Sequence, residues 1–300
     1  MPTGKTYRAK NKSVEKAAPK TTRPPASSRR EAAPARTVEE KIKRKFDAVP
    51  DRIDIRDWFY HPTLQPLPDQ VVNVDRVPEI LDQGTEGACT GFALSAVINY
   101  QLAYRNLINV RDRDRAVSPR MLYEMARRYD EWPGEDYEGS SARGAMKGWV
   151  NHGVCTRTLW PDSKFGPQHL SYDMANQAQR TPGGAYYRVI HTNIRDMHAA
   201  LYEAGILYAT LMVHEGWDQP GPEVASIKYV LAGNSVQKDF PIIGRKGRAD
   251  SGHAIAVVGY TRDGFIIQNS WYGTVRQYKK SGSQQRISRC GSRGIIRKKF

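Results

Sequence analysis

The run Asp82-Gln83-Gly84-Thr85-Glu86-Gly87-Ala88-Cys89-Thr90-Gly91-Phe92-Ala93 changes character at its cysteine. Before Cys89 the chain is polar and rich in glycine. After it, Phe92, Ala93, Ala96, Val97, Tyr100, Ala103 and Tyr104 recur at three- and four-residue steps, and no proline intervenes before Pro119. That spacing predicts a helix with one apolar face, with Cys89 in its first turn. The unpaired N–H groups and the positive dipole end of a helix start favour a thiolate, so the Cys89 thiol is expected to have a lowered pKa.

Two downstream strings supply what a thiolate nucleophile needs. Gly252-His253-Ala254-Ile255-Ala256-Val257-Val258-Gly259-Tyr260 is β-rich, and Phe265 to Asn269 is a second such run. Between them Thr261-Arg262-Asp263-Gly264 reads as a hairpin turn with Asp-Gly at its tip. A hairpin of this length brings His253 and Asn269 onto neighbouring β segments. The Asn269 oxygen can then accept from one ring nitrogen of His253, leaving the other to face Cys89. Gln83 stands six residues before Cys89, and its side-chain N–H and the Cys89 backbone N–H would converge on an oxyanion. Each such donor is worth roughly 2.7–4 kcal/mol in other enzymes.

These residues resemble the papain-like cysteine peptidases, and most closely their bacterial intracellular-type members. The resemblance rests on Asp82-Gln83-Gly84 with Gly87-Ala88-Cys89-Thr90-Gly91-Phe92-Ala93, on Gly252-His253-Ala254, and on Asn269-Ser270-Trp271. It spans about residues 50–274. It implies an α+β fold of two lobes, one helical and one an antiparallel, barrel-like sheet, with the active-site cleft between them. It also implies Cys89 as nucleophile, His253 as general acid/base, Asn269 as its orienting partner, Gln83 at the oxyanion, and Trp271 shielding the His–Asn contact. Peptide or protein would be the substrate, and no cofactor or metal is implied. Glu86 stands where secreted members carry a disulfide cysteine, which suits a reducing compartment. Thr90 replaces the usual aromatic. After Trp271-Tyr272-Gly273-Thr274 the family's barrel-closing pattern gives way to a basic Ser/Gly/Gln-rich stretch, which reads as a reading-frame shift or truncation near Tyr272. A catalytically impaired relative that binds peptides or a partner protein in the same cleft is the second reading.

The rest of the chain frames this body. Ser118-Pro119 starts a second helix as cap and first helical residue. Ala142 to His152 forms a third helix ended by Gly153, and residues 196–205 a fourth. Tyr186–Ile190 and Ile206–Val213 are further β-rich runs. Helices first and strands later make an α+β order. Residues 214–250, rich in Gly and Pro, read as an inserted loop at the cleft. Of the 300 residues, 46 are Lys or Arg and 31 Asp or Glu, a net +15. The ends carry it: residues 1–50 and 275–300 are each +9, and 51–274 is −3. The domain reading is therefore a disordered basic tail over 1–49, the peptidase body over 50–274, and a disordered basic tail over 275–300. Residues 37–46 could add a short helix to the first tail. The tails could bind nucleic acid or an anionic surface, although no aromatic interleaving or recognition motif accompanies their charge.

Cys89, Cys155 and Cys290 have no paired spacing, so no disulfide framework is expected. Cys155 reads as a core residue and Cys290 as part of the basic tail. The remaining histidines lack metal-ligand spacing. The acidic stretch from Asp130 to Glu138 reads as a solvated loop. The chain has no apolar stretch of signal-peptide or membrane-span length, and a cytoplasmic setting is the expectation.

Overall fold

The computed structural model describes residues 45–52, 54–77, 79–109, 112–131, 138–162, 169–217 and 220–271, and the backbone of 293–297. The helix expected over 37–46, most of the acidic 130–138 stretch, Cys290 and the composition change at Tyr272 fall wholly or largely outside them.

In chain order the described elements are β1 (Ala48–Val49), β2 (Val71–Val72), α1 (Cys89–Tyr104), α2 (Pro119–Arg128), β3 (Ser140–Ser141), α3 (Ala142–His152), α4 (Tyr172–Ala178), α5 (Ile194–Ala204), β4 (Leu207–Val213), β5 (Val224–Leu231), β6 (Asn234–Pro241), β7 (Ser251–Tyr260), β8 (Gly264–Gln268) and β9 (Arg293–Arg297). A 3₁₀ turn, Glu215–Trp217, follows β4. The architecture is α+β, a helical region against an antiparallel sheet.

The helix starts follow from their caps. Ser118 accepts from Met121 N at 3.1 Å with Pro119 at the first helical position. Ser141 accepts from Gly144 N at 3.0 Å. Ser171 and Asn193 cap α4 and α5 in the same way. Each satisfies a backbone donor that a helix start leaves unpaired. α1 differs, because Ala88 precedes it and carries no capping side chain.

β7 is the spine of the main sheet. β4 runs antiparallel along one edge, from Leu207 opposite Val257 to Val213 opposite Ser251, and β2 continues that edge at Tyr260 and Gly259. β8 pairs with the other edge, and the register shifts between Val257 and Gly259. The turn closes with Thr261 N–H on the Gly264 carbonyl at 2.8 Å, so the Asp-Gly hairpin stands where its residues placed it. Alternate residues of β7 serve two cores. Ala256 and Val258 join Leu94, Ile98, Met121, Leu122 and Met125 of the helices. Ile255 and Val257 join Val213, Trp217, Ile267 and Trp271. A strand covered on both faces needs a continuous apolar run, which 254–260 supplies.

Four expectations change. Residues 224–241 form a β-hairpin, β5 and β6, turning through Ala232 and Gly233 at φ +50° and +82°. Its inward positions Ile227, Tyr229 and Phe240 pack into the helical core, so alternation outweighed the surrounding Gly and Pro. Tyr186–Ile190 is not a strand, and among the described residues a single parallel bridge from Phe59 to Arg188 is all that pairs it. The packed body begins before Pro50: Lys45 and Phe46 are non-helical and β1 pairs with β3. At the other end, residues 293–297 form β9 antiparallel to β8. Those five residues lie in the stretch expected to be a disordered tail, and the free edge of β8 gives their backbone its hydrogen-bond partners.

Candidate active site

Each candidate residue is placed by a different element. Cys89 is the first residue of α1, and its side chain packs with Ala93 and, across to the sheet, with Ala254 of β7. His253, the residue before Ala254, is fully buried on β7. Its Nε2 lies 2.7 Å from Asn269 Oδ1, one residue past β8. The Ser270 backbone N–H donates to that same atom at 2.8 Å. A backbone N–H needs an acceptor, so the shared atom is the amide oxygen and Nε2 must carry the hydrogen. Nδ1 is then the basic nitrogen of the neutral ring. Trp271 stacks on His253 with centroids 4.9 Å apart, and Trp217 meets the ring edge-on at 6.2 Å.

Gln83 joins the same strand end. Its backbone N–H donates to the Ser270 carbonyl at 3.0 Å, and Asp82 bridges Trp271. The Ser270 hydroxyl donates to Gln83 Oε1 at 2.5 Å, while Gln83 Nε2 donates to the Glu86 carbonyl at 3.0 Å. The structure thus brings His253, Asn269 and Trp271 into direct contact, ties Gln83 to them through Ser270, and sets Cys89 against the residue that follows His253.

No protein-family model and no curated protein matches this chain. Solved structures do. Xylellain, a cysteine protease from Xylella fastidiosa, superposes with a TM-score of 0.62 at 23% identity, over 87% of this chain and 92% of that one. Digestive procathepsin L 3 of Tenebrio molitor larval midgut gives 0.55 at 18% identity, over 77% and 66%. ProCathepsin B S9 from Trypanosoma congolense gives 0.55 at 15% identity, over 85% and 81%. The chain has the papain-like cysteine-peptidase fold.

Within this papain-like fold, residues 45–49 lie across the candidate site. β1 runs parallel to β3 on the helical side, and Asp47 forms a parallel bridge with Gly252 of β7. Ala48 packs on Cys89. Phe46 sets its ring edge against His253 at 5.5 Å and Trp271 at 5.3 Å. The approach is backbone to backbone. A Cβ on Gly252 would fall 1.7 Å from the Ala48 carbonyl oxygen, and one on Gly139 would fall 1.6 Å from that of Asp47. Only glycine fits at either position.

This cover reverses the expectation for the thiol. Burial pushes Cys89 up to about 11, ahead of the backbone N–H groups of Ala254, Thr90 and Cys89 itself, which pull it down; the nearby Asp47 carboxylate raises it further. Desolvation disfavours the charged form, and here it outweighs the helix start. Asp47 is itself raised, chiefly by burial, against the Lys45 charge.

Sequence reasoning missed Phe46, Ser270, Trp217 and the carbonyl of Glu86. Ser270 lay inside the quoted Asn-Ser-Trp string, whereas Phe46 was one aromatic in a basic tail. Cys89 and Cys155 are free thiols and both are buried. Among the described residues no group of His, Cys, Asp or Glu is placed to hold a metal ion, and no helix is long and apolar enough to cross a membrane.

Proposed function

We propose that this protein is a cysteine peptidase that hydrolyses peptide bonds through a thioester acyl-enzyme. The observation that carries the reading is the His253–Asn269 pair, with its tautomer fixed by the Ser270 N–H, on a strand whose next residue, Ala254, packs on a cysteine at a helix start with no capping side chain. Nδ1 of His253 takes the Cys89 proton, and the thiolate attacks the scissile carbonyl carbon. The carbonyl π pair moves to oxygen, where the Cys89 N–H and an amide N–H of Gln83 stabilise it. Collapse expels the amine, which leaves with the proton held on His253. Water then attacks the thioester, His253 takes its proton, and the thiol returns as the acid departs. Asn269 holds the ring while its charge changes. The free thiols suit a reducing compartment.

Before any of this, residues 45–49 must leave the groove, because Cys89 and His253 are fully buried, with Ala48 packed in the Cys89 cluster and Phe46 edge-on to the imidazole. That cover also favours the second reading, a protein that holds a peptide or a partner in this groove without turnover. An irreversible thiol-directed peptidase inhibitor separates the two. The peptidase reading expects one inhibitor per chain on Cys89, lost in Cys89→Ala and in His253→Ala. Labelling of Cys89 that ignores His253→Ala counts against it.

A further inference from the structure

The loop that leads into Cys89 is gripped from two sides. The strand end at Ser270 holds Gln83, as described. The other grip comes from α2. Arg120, its second residue, is buried, and its Nη1 donates to Glu86 Oε2. Its Nη2 stands 3.1 Å from Glu124 Oε1, and its guanidinium carbon 5.6 Å from the Tyr123 ring centre. Tyr123 in turn packs with Ala88, Phe92 and Leu81, the residues that flank the loop. A guanidinium taken out of water holds its carboxylates hard, because either one lost leaves charge less compensated. Glu86 is therefore fixed in place from its side chain.

Its carbonyl is what Gln83 touches. The Gln83 amide is pinned at both ends, Oε1 by the Ser270 hydroxyl and Nε2 by the Glu86 carbonyl. An amide nitrogen carries two hydrogens in one plane. Once the first is aimed at Glu86 and the oxygen at Ser270, the direction of the second is decided. We infer that Glu86, clamped by the buried Arg120, is a positioning residue that sets the direction of the second Gln83 amide N–H. The ion pair thus acts on the oxyanion donor without meeting substrate. It also explains why a carboxylate stands three residues before the nucleophile. The inference rests on the peptidase reading above.

The test uses the full-length protein, with active sites titrated by the thiol-directed inhibitor. Arg120→Ala would leave both carboxylates unpaired and risks the fold, so the variants are Glu86→Ala, Gln83→Ala and their double. Glu86→Ala keeps the carbonyl but frees it from Arg120, while Glu124 still pairs the guanidinium. Glu86→Ala is expected to lower kcat about tenfold with KM held within about twofold. In the Gln83→Ala background the same change is expected to cost less than about twofold, because the two act as one unit. Glu86→Gln, which can still accept from Arg120, is expected to recover most of the loss. Equal losses in both backgrounds, or a change in KM alone, overturn the inference. A second readout does not need turnover. The Gln83 side-chain amide signals in a ¹⁵N–¹H spectrum should shift or broaden in Glu86→Ala while those of Asn269 stay. Unmoved Gln83 signals overturn the inference too. A wild-type chain that cannot be labelled or cleave peptides sinks the peptidase reading, and the amide spectrum then decides the positioning role alone.

Discussion

Arg120 and Arg143 are buried on the helical side of the molecule with carboxylates gathered round them, whereas β7 on the sheet side buries 254–260 with no ionised side chain in the run. Arg143 bonds Asp57 through both guanidinium tips, reaches Glu131 Oε1 at 2.8 Å, and takes Asp51 Oδ1 on its backbone N–H at 2.8 Å. Arg188 adds a second cation on Asp57 at 2.7 Å. This network fastens Asp51 and Asp57, soon after the segment that packs on Cys89. The sheet side places the strand that carries His253 by register and by apolar alternation, and the Asn269 oxygen then orients the ring. The loop that leads into Cys89 and the stretch after its cover therefore depend on charge pairs, and the strand that carries His253 on area removed from water.

The largest expected effect lies where the two sides meet. With its thiol near 11, Cys89 in the covered chain holds roughly one part in a thousand as thiolate at about pH 8. Alkylation by iodoacetamide should run about a thousandfold slower than at an open thiolate, and should rise tenfold per pH unit up to that value. A rate already flat between pH 7 and 9 would show that the cover does not control the sulfur.

Arg143→Ala comes next, at about 3–5 kcal/mol of unfolding free energy, since it strands carboxylates in a buried site. Its acid signature has a definite sign. The Arg143 hydrogen bond, opposed by burial and helped by Arg188, holds the Asp57 carboxyl below its ordinary value. A folded value below the unfolded one stabilises fully above the unfolded carboxylate range near 3.9 and is lost as pH falls through the folded value. Denaturant melts at stepped pH should show wild type and Arg143→Ala converging in acid. Parallel curves would contradict the assignment.

On the sheet side, Ile266→Ala empties a fully buried site on β8 at about 2–5 kcal/mol. That loss should not change with salt or as pH falls below about 4, where the Arg143 loss should. The smallest effect is Ser118→Ala, at about 1 kcal/mol for the α2 cap, read from the same melts. A matching loss for a cap substitution at Ala88 is not available, since Ala88 gives α1 no side-chain bond to remove.

The same division governs what could be read from the chain beforehand. Ser118-Pro119 and Gly153 are local signals, and α2 begins and α3 ends where those residues say. The step from His253 to Asn269 crosses one tight turn, so that pair was legible too. Phe46 and Ala48 were not, because their partners lie from about forty to more than two hundred residues away and the preceding chain is basic and polar. The thiol's raised pKa was hidden for the same reason: a helix start is local, and the cover that overrides it is not. Tyr186–Ile190 erred the other way, since its β-branched and aromatic residues carry strand propensity but the fold offers them no strand to pair with. The hairpin over 224–241 was masked by an Ala-Gly turn in place of the familiar Asn-Gly.

Gly139 and Gly252 meet the covering segment first through its main-chain carbonyls, those of Asp47 and Ala48. Two bare rails of peptide backbone, one beside β3 and one on β7, hold the chain's own segment by features every amino acid shares. Discrimination among ligands must then come from side-chain sockets away from those rails. A methyl group on either rail, as in Gly139→Ala or Gly252→Ala, would act as a wedge that evicts the chain's own segment and a foreign peptide alike.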